Sequence, residues 1–182
     1  IQQLLPLGVL QQAAHLIHWL AEDARSTRAF LKRVNAVVPL SAPLQQIDIR
    51  ELPRPAKGGA ATALPSDALW RELLAPALAG EDVGLISEAG LPAVADPGAA
   101  AVAVAHALSI TVLPLSGASS LMLALAASGL NGQSFAFVGY LPQDAAARLA
   151  RIKELQLLSR RGNQTQLLIE TPYRNAAMLG AL

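Results

Sequence analysis

The chain has 182 residues, 53% of them hydrophobic and 15% charged, a composition typical of a folded globular protein rather than a disordered or fibrous one. Its formal net charge is +1, from 14 lysines and arginines against 13 aspartates and glutamates, so the global charge favours no nucleic-acid or acidic partner. The absence of cysteine excludes disulfides, thiolate catalysis, zinc knuckles and iron–sulfur clusters. No stretch is apolar enough for a membrane span, and we expect a cytoplasmic protein.

The first 80 residues give a weak pattern. Residues 13–34 predict one long helix or two shorter ones, and residues 47–49 predict a short strand. Three prolines and a glycine pair over residues 52–65 indicate a mobile loop, after which Ser66 or Asp67 caps a helix reaching residue 79. Folds of this class usually open with a strand, so we expect that strand to lie upstream of Ile1.

From residue 83 onward, short apolar runs alternate regularly with helical patterns. Strands are predicted over residues 83–86, 110–115, 135–140 and 166–169. Helices are predicted over residues 98–108 (capped by Asp96), 116–127 (ended by Gly129), 144–159 and 173–182. Continuous apolar strands alternating with helices indicate an α/β fold, with a mainly parallel sheet flanked by helices.

Small, polar, glycine- and proline-rich loops follow these predicted strands. They cover residues 87–92, 116–120, 140–142 and 170–174. Ligands of open parallel sheets bind at the carboxyl ends of the strands, so these loops are candidates for a binding cleft. Strand–helix turns use glycine, serine and proline in any case, and composition alone predicts no more than an α/β domain with a ligand cleft.

Three segments resemble one known family. Residues 85–98, LISEAGLPAVADPG, resemble the (L/V)-(I/V)-S-D-A-G-T-P-x-(I/V)-x-D-P-G signature of the tetrapyrrole methylase superfamily. Residues 21–25, AEDAR, resemble the A-E-D-T-R segment of its branch that methylates a ribose 2′-oxygen in small-subunit ribosomal RNA. Residues 112–130, together with residues 139–142, resemble that branch's V-x-P-x-P-G-x-(S/C)-A…A-x-G-L…G-F-L-P run. Leu91 and Ser116 depart from the threonine and proline usual there.

The resemblance implies S-adenosylmethionine (SAM) as cofactor, held between two α/β domains, and a homodimer. We expect residues 1–139 to form the N-terminal domain, and residues 140–182 to form a hinge and the beginning of an incomplete C-terminal domain. By resemblance, the cofactor contacts are Ser87, Glu88, Ala89, Gly90, Leu91, Pro92, Ser116, Gly117, Ala118, Ser119, Tyr140, Leu141, Glu170, Thr171 and Pro172.

Glu22, Asp23 and Arg25 are the candidate catalytic residues. Methyl transfer to an oxygen requires loss of a proton, and a carboxylate within hydrogen-bond reach assists it. The alternative is a solvated helix face with local ion pairs, and the two interpretations stay open. Arg25, Arg28 and Lys32 share one helical face that could receive phosphates, although exposed basic faces are common. The three histidines lack a second ligand set, so we expect no metal site.

Three functions remain open from the sequence. The first is a SAM-dependent methyltransferase that acts by direct methyl transfer on rRNA ribose, with rRNA or the small ribosomal subunit as partner, or else on a tetrapyrrole-type small molecule. The second is a SAM-binding module without turnover. A nicotinamide dehydrogenase is disfavoured because no G-x-G-x-x-G follows a predicted strand.

Overall fold

A computed structural model describes residues 1–53 and 66–182. The predicted loop over residues 52–65 therefore lies almost entirely outside the described residues. The chain divides into two compact units, Ile1–Ala118 and Ser119–Leu182. The domain boundary expected at residue 140 stays a prediction. No helix within the described ranges is both long and apolar enough to cross a bilayer.

The first unit is built on a three-stranded parallel sheet. Its strands are β1 (His18–Ala21), β2 (Asp48–Glu51) and β3 (Val83–Ile86), in the order β2-β1-β3. The helices of this unit are α1 (Leu7–His15), α2 (Ala24–Asn35), α3 (Asp67–Leu73), α4 (Ala75–Leu78) and α5 (Ala99–Ala107), with a 3-10 turn at Leu44–Gln46. This arrangement confirms the predicted α/β class with a parallel sheet.

Two apolar clusters cover the two faces of this sheet. Trp19 belongs to a cluster with Leu10 of α1 and Leu31 of α2. The next residue, Leu20, belongs to a second cluster that contains Trp70 of α3 and the alanines of α5. Successive strand residues point to opposite faces, so the central strand contributes to both clusters. Burying each large side chain stabilises the unit by about 1.5–3 kcal/mol.

Of the two predictions for residues 13–34, one long helix is wrong; two shorter helices, α1 and α2, are present, but strand β1 lies between them. The segment between α1 and α2 is extended, and it pairs with β2 on one side and β3 on the other. Trp19, Leu20 and Ala21 are all buried, so periodicity alone could not separate a central strand from a buried helix. The sequence pattern predicted no strand between residues 13 and 34 and therefore missed the central strand of the sheet.

Two further expectations after β3 are wrong. Residues 110–115 form no strand, although Ile110 and Val112 pack against the second apolar cluster. Asp96 is not the N-cap of α5, because Gly98 holds that position with φ +131° and no side-chain cap. The apolar content of residues 110–115 predicts a strand, but a strand also needs a neighbouring strand with which to exchange hydrogen bonds.

The second unit contains a two-stranded parallel sheet and three helices. The strands are β4 (Phe135–Phe137) and β5 (Thr165–Leu167); the helices are α6 (Ser120–Ser128), α7 (Ala145–Gly162) and α8 (Asn175–Leu179), with a 3-10 turn at Pro172–Arg174. Its core is formed by Leu141, Leu155 and Met178. Gly129 ends α6 in the left-handed conformation, as predicted, and Asp144 caps α7. Helix α6 begins at Ser120 rather than at residue 116.

Candidate functional site

The loops after β1 and β3 meet at the carboxyl edge of the first sheet. The backbone N–H of Glu22 donates to the Ile86 carbonyl at 3.1 Å, which extends the pairing of β1 with β3 by one residue. The Glu22 carboxylate accepts a hydrogen bond from the Glu88 N–H at 3.0 Å. Two predicted site segments that are 66 positions apart in the chain are thus joined directly.

Asp23 fixes the start of α2. Its Oδ1 accepts the Ser26 N–H at 2.7 Å, which makes it the N-cap, and its carbonyl accepts the Thr27 hydroxyl at 2.8 Å. From the end of β2, the Glu51 carboxylate accepts the Ala24 N–H at 3.0 Å. Two free N–H groups of the first helical turn, those of Ala24 and Ser26, therefore have carboxylate acceptors. Arg25, the third predicted catalytic residue, is exposed in that same turn.

The motif loop, residues 87–98, is conformationally strained. Four of its residues have positive φ: Gly90 at +70°, Ala93 at +67°, Ala95 at +65° and Gly98 at +131°. For alanine the left-handed region costs roughly 1–2 kcal/mol per residue. The loop is held by hydrogen bonds from the Ser87 hydroxyl to the Ala89 carbonyl (3.1 Å) and from the Ala93 N–H to the Pro97 carbonyl (3.2 Å). Strain of this kind is concentrated at binding and catalytic sites.

The motif loop also gathers acidic groups around Asp96. Partial burial raises the pKa of the Asp96 carboxyl above its ordinary value, and the neighbouring charges of Glu22 and Glu88 raise it further. A hydrogen bond from Ser87 opposes this shift. The carboxyl groups of Glu22, Glu88 and Asp96 therefore lie close enough at this edge of the sheet to affect one another.

The predicted segment around residue 117 lies against the motif loop within the first unit. A Cβ added to Gly117 would come within 3.0 Å of the Leu91 Cδ2 atom, so only a residue without a side chain fits there without displacing Leu91. Ser116 and Ala118 flank this contact in a segment without regular secondary structure. The structure thus brings this segment to Leu91.

The remaining predicted cofactor residues lie in the second unit. Ser119 precedes α6 without a side-chain cap, Tyr140 is exposed and Leu141 is buried in the core. The Glu170 carboxylate accepts the Thr171 N–H at 2.7 Å and the Arg174 Nε–H at 2.8 Å. The backbone hydrogen bond from Thr171, together with Arg174, lowers the pKa of the Glu170 carboxyl. Pro172 begins the 3-10 turn that follows.

The structure contains a cavity beside the motif loop that the sequence analysis did not predict. Its volume is about 250 Å³, and it is lined by Ser26, Thr27, Ala29, Phe30, Arg33, Ile86, Ser87 and Glu88. The helical positions of this wall became visible only once β1 placed α2 beside β3. Glu51 was missed for the same reason, although its position at the end of a predicted strand was a usable signal. Among the described residues, no cluster of histidine and carboxylate side chains is arranged for a metal.

Comparison with known proteins gives one consistent result. No protein-family model matches the chain. Proteins named ribosomal RNA small subunit methyltransferase I are similar to it: the one from Pseudomonas aeruginosa is 44% identical over 95 residues, the one from Mesorhizobium japonicum 40% over 111, and the one from Xylella fastidiosa 34% over 135.

These matches cover 52%, 61% and 74% of this chain, but 32%, 36% and 43% of the respective relatives. The chain therefore spans well under half of the length of these curated relatives. The comparisons confirm the resemblance that residues 85–98 predict. The chain is homologous to the proteins named ribosomal RNA small subunit methyltransferase I.

Proposed function

We propose that the protein is a SAM-dependent methyltransferase that methylates a ribose oxygen of small-subunit ribosomal RNA. The observation that carries this proposal is the hydrogen bond between the Glu22 carboxylate and the Glu88 N–H at 3.0 Å. It joins the AEDAR segment to the motif loop, and both segments resemble the rRNA branch. The similarity to the curated methyltransferases supports the same activity.

The residues of the motif loop fit the proposed cofactor. Gly90 lacks a side chain and has φ +70°, and an added Cβ would meet only the Asp96 Oδ2 atom, at 3.8 Å, so a ligand can approach its backbone closely. Gly117 lies against the Leu91 side chain of this loop and is a further proposed contact. SAM would supply an activated methyl group. Ser119, Tyr140, Leu141, Glu170, Thr171 and Pro172 are further proposed contacts, supported by the resemblance alone.

Glu22, Asp23 and Arg25 are proposed to act on the acceptor. The carboxylates at this edge can accept a hydrogen bond from a ribose hydroxyl, which orients the oxygen and assists loss of its proton. Orientation alone is worth up to about 7–11 kcal/mol in favourable cases. The chain has no cysteine, and we propose a single displacement without a covalent enzyme intermediate. A cytoplasmic homodimer is proposed from the resemblance.

The cofactor site is tested by Gly90→Ala, with Gly80→Ala as the matched control. Both glycines have positive φ, at +70° and +89°, so both variants introduce the same kind of backbone strain. Only Gly90 lies in the motif loop. We expect Gly90→Ala to weaken S-adenosylhomocysteine binding about tenfold or more by calorimetry, equivalent to roughly 1.4 kcal/mol. Gly80→Ala should bind like the wild type.

Equal affinity in both variants would contradict the placement of the cofactor. The activity itself is tested by transfer of labelled methyl from SAM to small-subunit rRNA, followed by mass spectrometry of the ribose. Binding of S-adenosylhomocysteine without transfer to RNA would point instead to a binding module or to a small-molecule acceptor.

A further inference from the structure

The exposed side of helix α2 is strongly basic. Arg25, Arg28 and Lys32 are separated by three and four residues, so they lie on one face along about 10 Å of the helix axis. Arg33 lies beside that face, and all four side chains are exposed. The helix contains no acidic residue. In a chain whose net charge is +1, this is a concentrated positive surface.

Helix stability explains only part of these charges. Lys32 and Arg33 stand in the last turn of α2, where the helix dipole favours cations, but Arg25 is the second residue, where the positive end of the dipole disfavours them. Within residues 1–53 and 66–182, no carboxylate forms an ion pair with any of the four side chains. Arg28 makes only a 3.4 Å contact with the Ala24 carbonyl.

Helix α7 shows the ordinary arrangement. Its Arg151 pairs with Glu154 at 2.6 Å, and its Arg160 and Arg161 stand in the last turn, where the dipole favours cations. These charges of α7 thus contribute to the stability of their own helix, whereas Arg148 in its first turn opposes the dipole, as Arg25 does in α2. What distinguishes α2 is that its basic side chains share one exposed face without an ion pair to a described carboxylate.

The basic face is continuous with the candidate site. Arg33 lines the 250 Å³ cavity whose opposite wall is formed by Ile86, Ser87 and Glu88. Beyond that wall, Glu22, Glu88 and Asp96 form the acidic edge of the sheet. A strand of RNA has phosphates that the basic face attracts and ribose hydroxyls that can donate to carboxylates. The basic face and the acidic edge are therefore placed so that one can hold the phosphate and the other the ribose of the same nucleotide.

We propose that the exposed face of α2, formed by Arg25, Arg28 and Lys32 with Arg33 beside it, is the docking surface for the phosphate backbone of the RNA substrate. This inference rests on the proposed function and names the surface that would hold its substrate. An anionic membrane fits the face less well, because an interfacial helix also needs exposed large apolar residues. Phe30 is half-buried against Trp19, and Ala29 is small.

The test compares two double variants with the same loss of charge. Arg28→Gln with Lys32→Gln removes two charges from the proposed surface and leaves Arg25 in place. Arg160→Gln with Arg161→Gln removes two exposed charges from α7. Binding of a fluorescent 30-nucleotide single-stranded RNA is measured by anisotropy over a range of salt concentrations. Urea unfolding followed by tryptophan fluorescence verifies that the first unit is intact.

The α2 variant should lose two phosphate contacts. Each contact contributes about 0.7 to the slope of log K against log salt for single strands, so the slope should fall by about 1.4 and the affinity at 0.1 M salt by roughly 25-fold. The α7 variant should keep the wild-type slope. Equal slopes in the wild type and the α2 variant would overturn the proposal.

Two parallel measurements separate this inference from the proposed function. If the wild type transfers methyl groups to rRNA but the wild type and the α2 variant have equal salt slopes, the proposed enzyme activity is upheld and the proposed docking surface is overturned. Absence of wild-type transfer, together with a reduced slope in the α2 variant, would contradict the enzyme and uphold the surface. Phosphatidylserine vesicles are the competing probe: vesicle binding that is lost in the α2 variant, with RNA binding unchanged, would overturn the proposal.

Discussion

Two strand–helix connections at the same edge of one sheet are built in opposite ways. The connection from β1 to α2 has two residues, Glu22 and Asp23, and both side chains accept backbone N–H groups. The connection from β3 to α5 has the twelve residues 87–98, of which four have positive φ. Its helix, α5, has Gly98 as N-cap and therefore no side-chain cap.

The two connections differ in what their residues do: one satisfies backbone groups, and the other carries backbone strain. The short connection satisfies the helix N-terminus and is stable by its own hydrogen bonds. The long one costs conformational energy and exposes backbone at glycine positions, which is useful only if something approaches that backbone closely. The Glu22–Glu88 hydrogen bond ties the strained connection to the stable one.

The largest expected effect is from breaking the strained connection at Gly98. Gly98→Ala would place a Cβ 3.2 Å from the Ala93 nitrogen and 3.1 Å from the Leu85 Cδ2 atom, at a φ of +131°. We expect the free energy of unfolding of the first unit to fall by about 2–3 kcal/mol. Urea unfolding followed by tryptophan fluorescence measures it, since both tryptophans, Trp19 and Trp70, lie in this unit.

The control for this variant is Gly80→Ala. Gly80 has a φ of +89°, but a Cβ there would meet no atom within 4 Å. Gly80→Ala should therefore lower the free energy of unfolding by roughly 1–2 kcal/mol, the cost of the backbone strain alone. If Gly98→Ala lowers the free energy of unfolding no more than Gly80→Ala does, the motif loop rearranges at little cost and is not tightly held.

The second prediction breaks the stable connection at Asp23. Asp23→Ala removes the N-cap acceptor of α2 and should lower the free energy of unfolding by about 1 kcal/mol, whereas Asp23→Asn retains a capping oxygen and should change it by only a few tenths. If the charge also acts on the acceptor, Asp23→Asn will reduce turnover while S-adenosylhomocysteine affinity stays unchanged. Wild-type turnover in Asp23→Asn would make Asp23 a cap and nothing more.

The smallest expected effect concerns the acidic edge that joins the two connections. Because the pKa of Asp96 is raised in the folded protein, its contribution to stability is present below its ordinary value of 3.8 and is lost as the pH rises through the folded value. Asp96→Asn should therefore be more stable than the wild type at pH 7. The two should converge at pH 3.

Unfolding curves at both pH values test this sign. A wild type more stable than Asp96→Asn at pH 7 would mean that Ser87, whose hydrogen bond favours the ionised form, outweighs burial and the charges of Glu22 and Glu88. The acidic edge would then be a stabilising network and not a site that holds charge at a cost.

Local patterns in the sequence determined a large part of this protein. The alternation of apolar runs and helices predicted the α/β class and strand β3, and it predicted the last two strands with ends that differ by up to three residues. Ser66 and Asp144 were recognisable as N-caps and Gly129 as a helix end, because each acts through its own side chain or backbone conformation. The motif over residues 85–98 identified the relatives without any structure.

Tertiary structure decided what local patterns could not. Residues 18–21 are a strand because β2 and β3 pair with them on both sides, whereas residues 110–115 pair with no strand among the described residues. The meeting of Glu22 with Glu88, the cavity between α2 and β3, and the raised pKa of Asp96 all follow from that pairing. Strand pairing joins residues far apart in the chain, and no local pattern of side chains encodes which partner a strand will find.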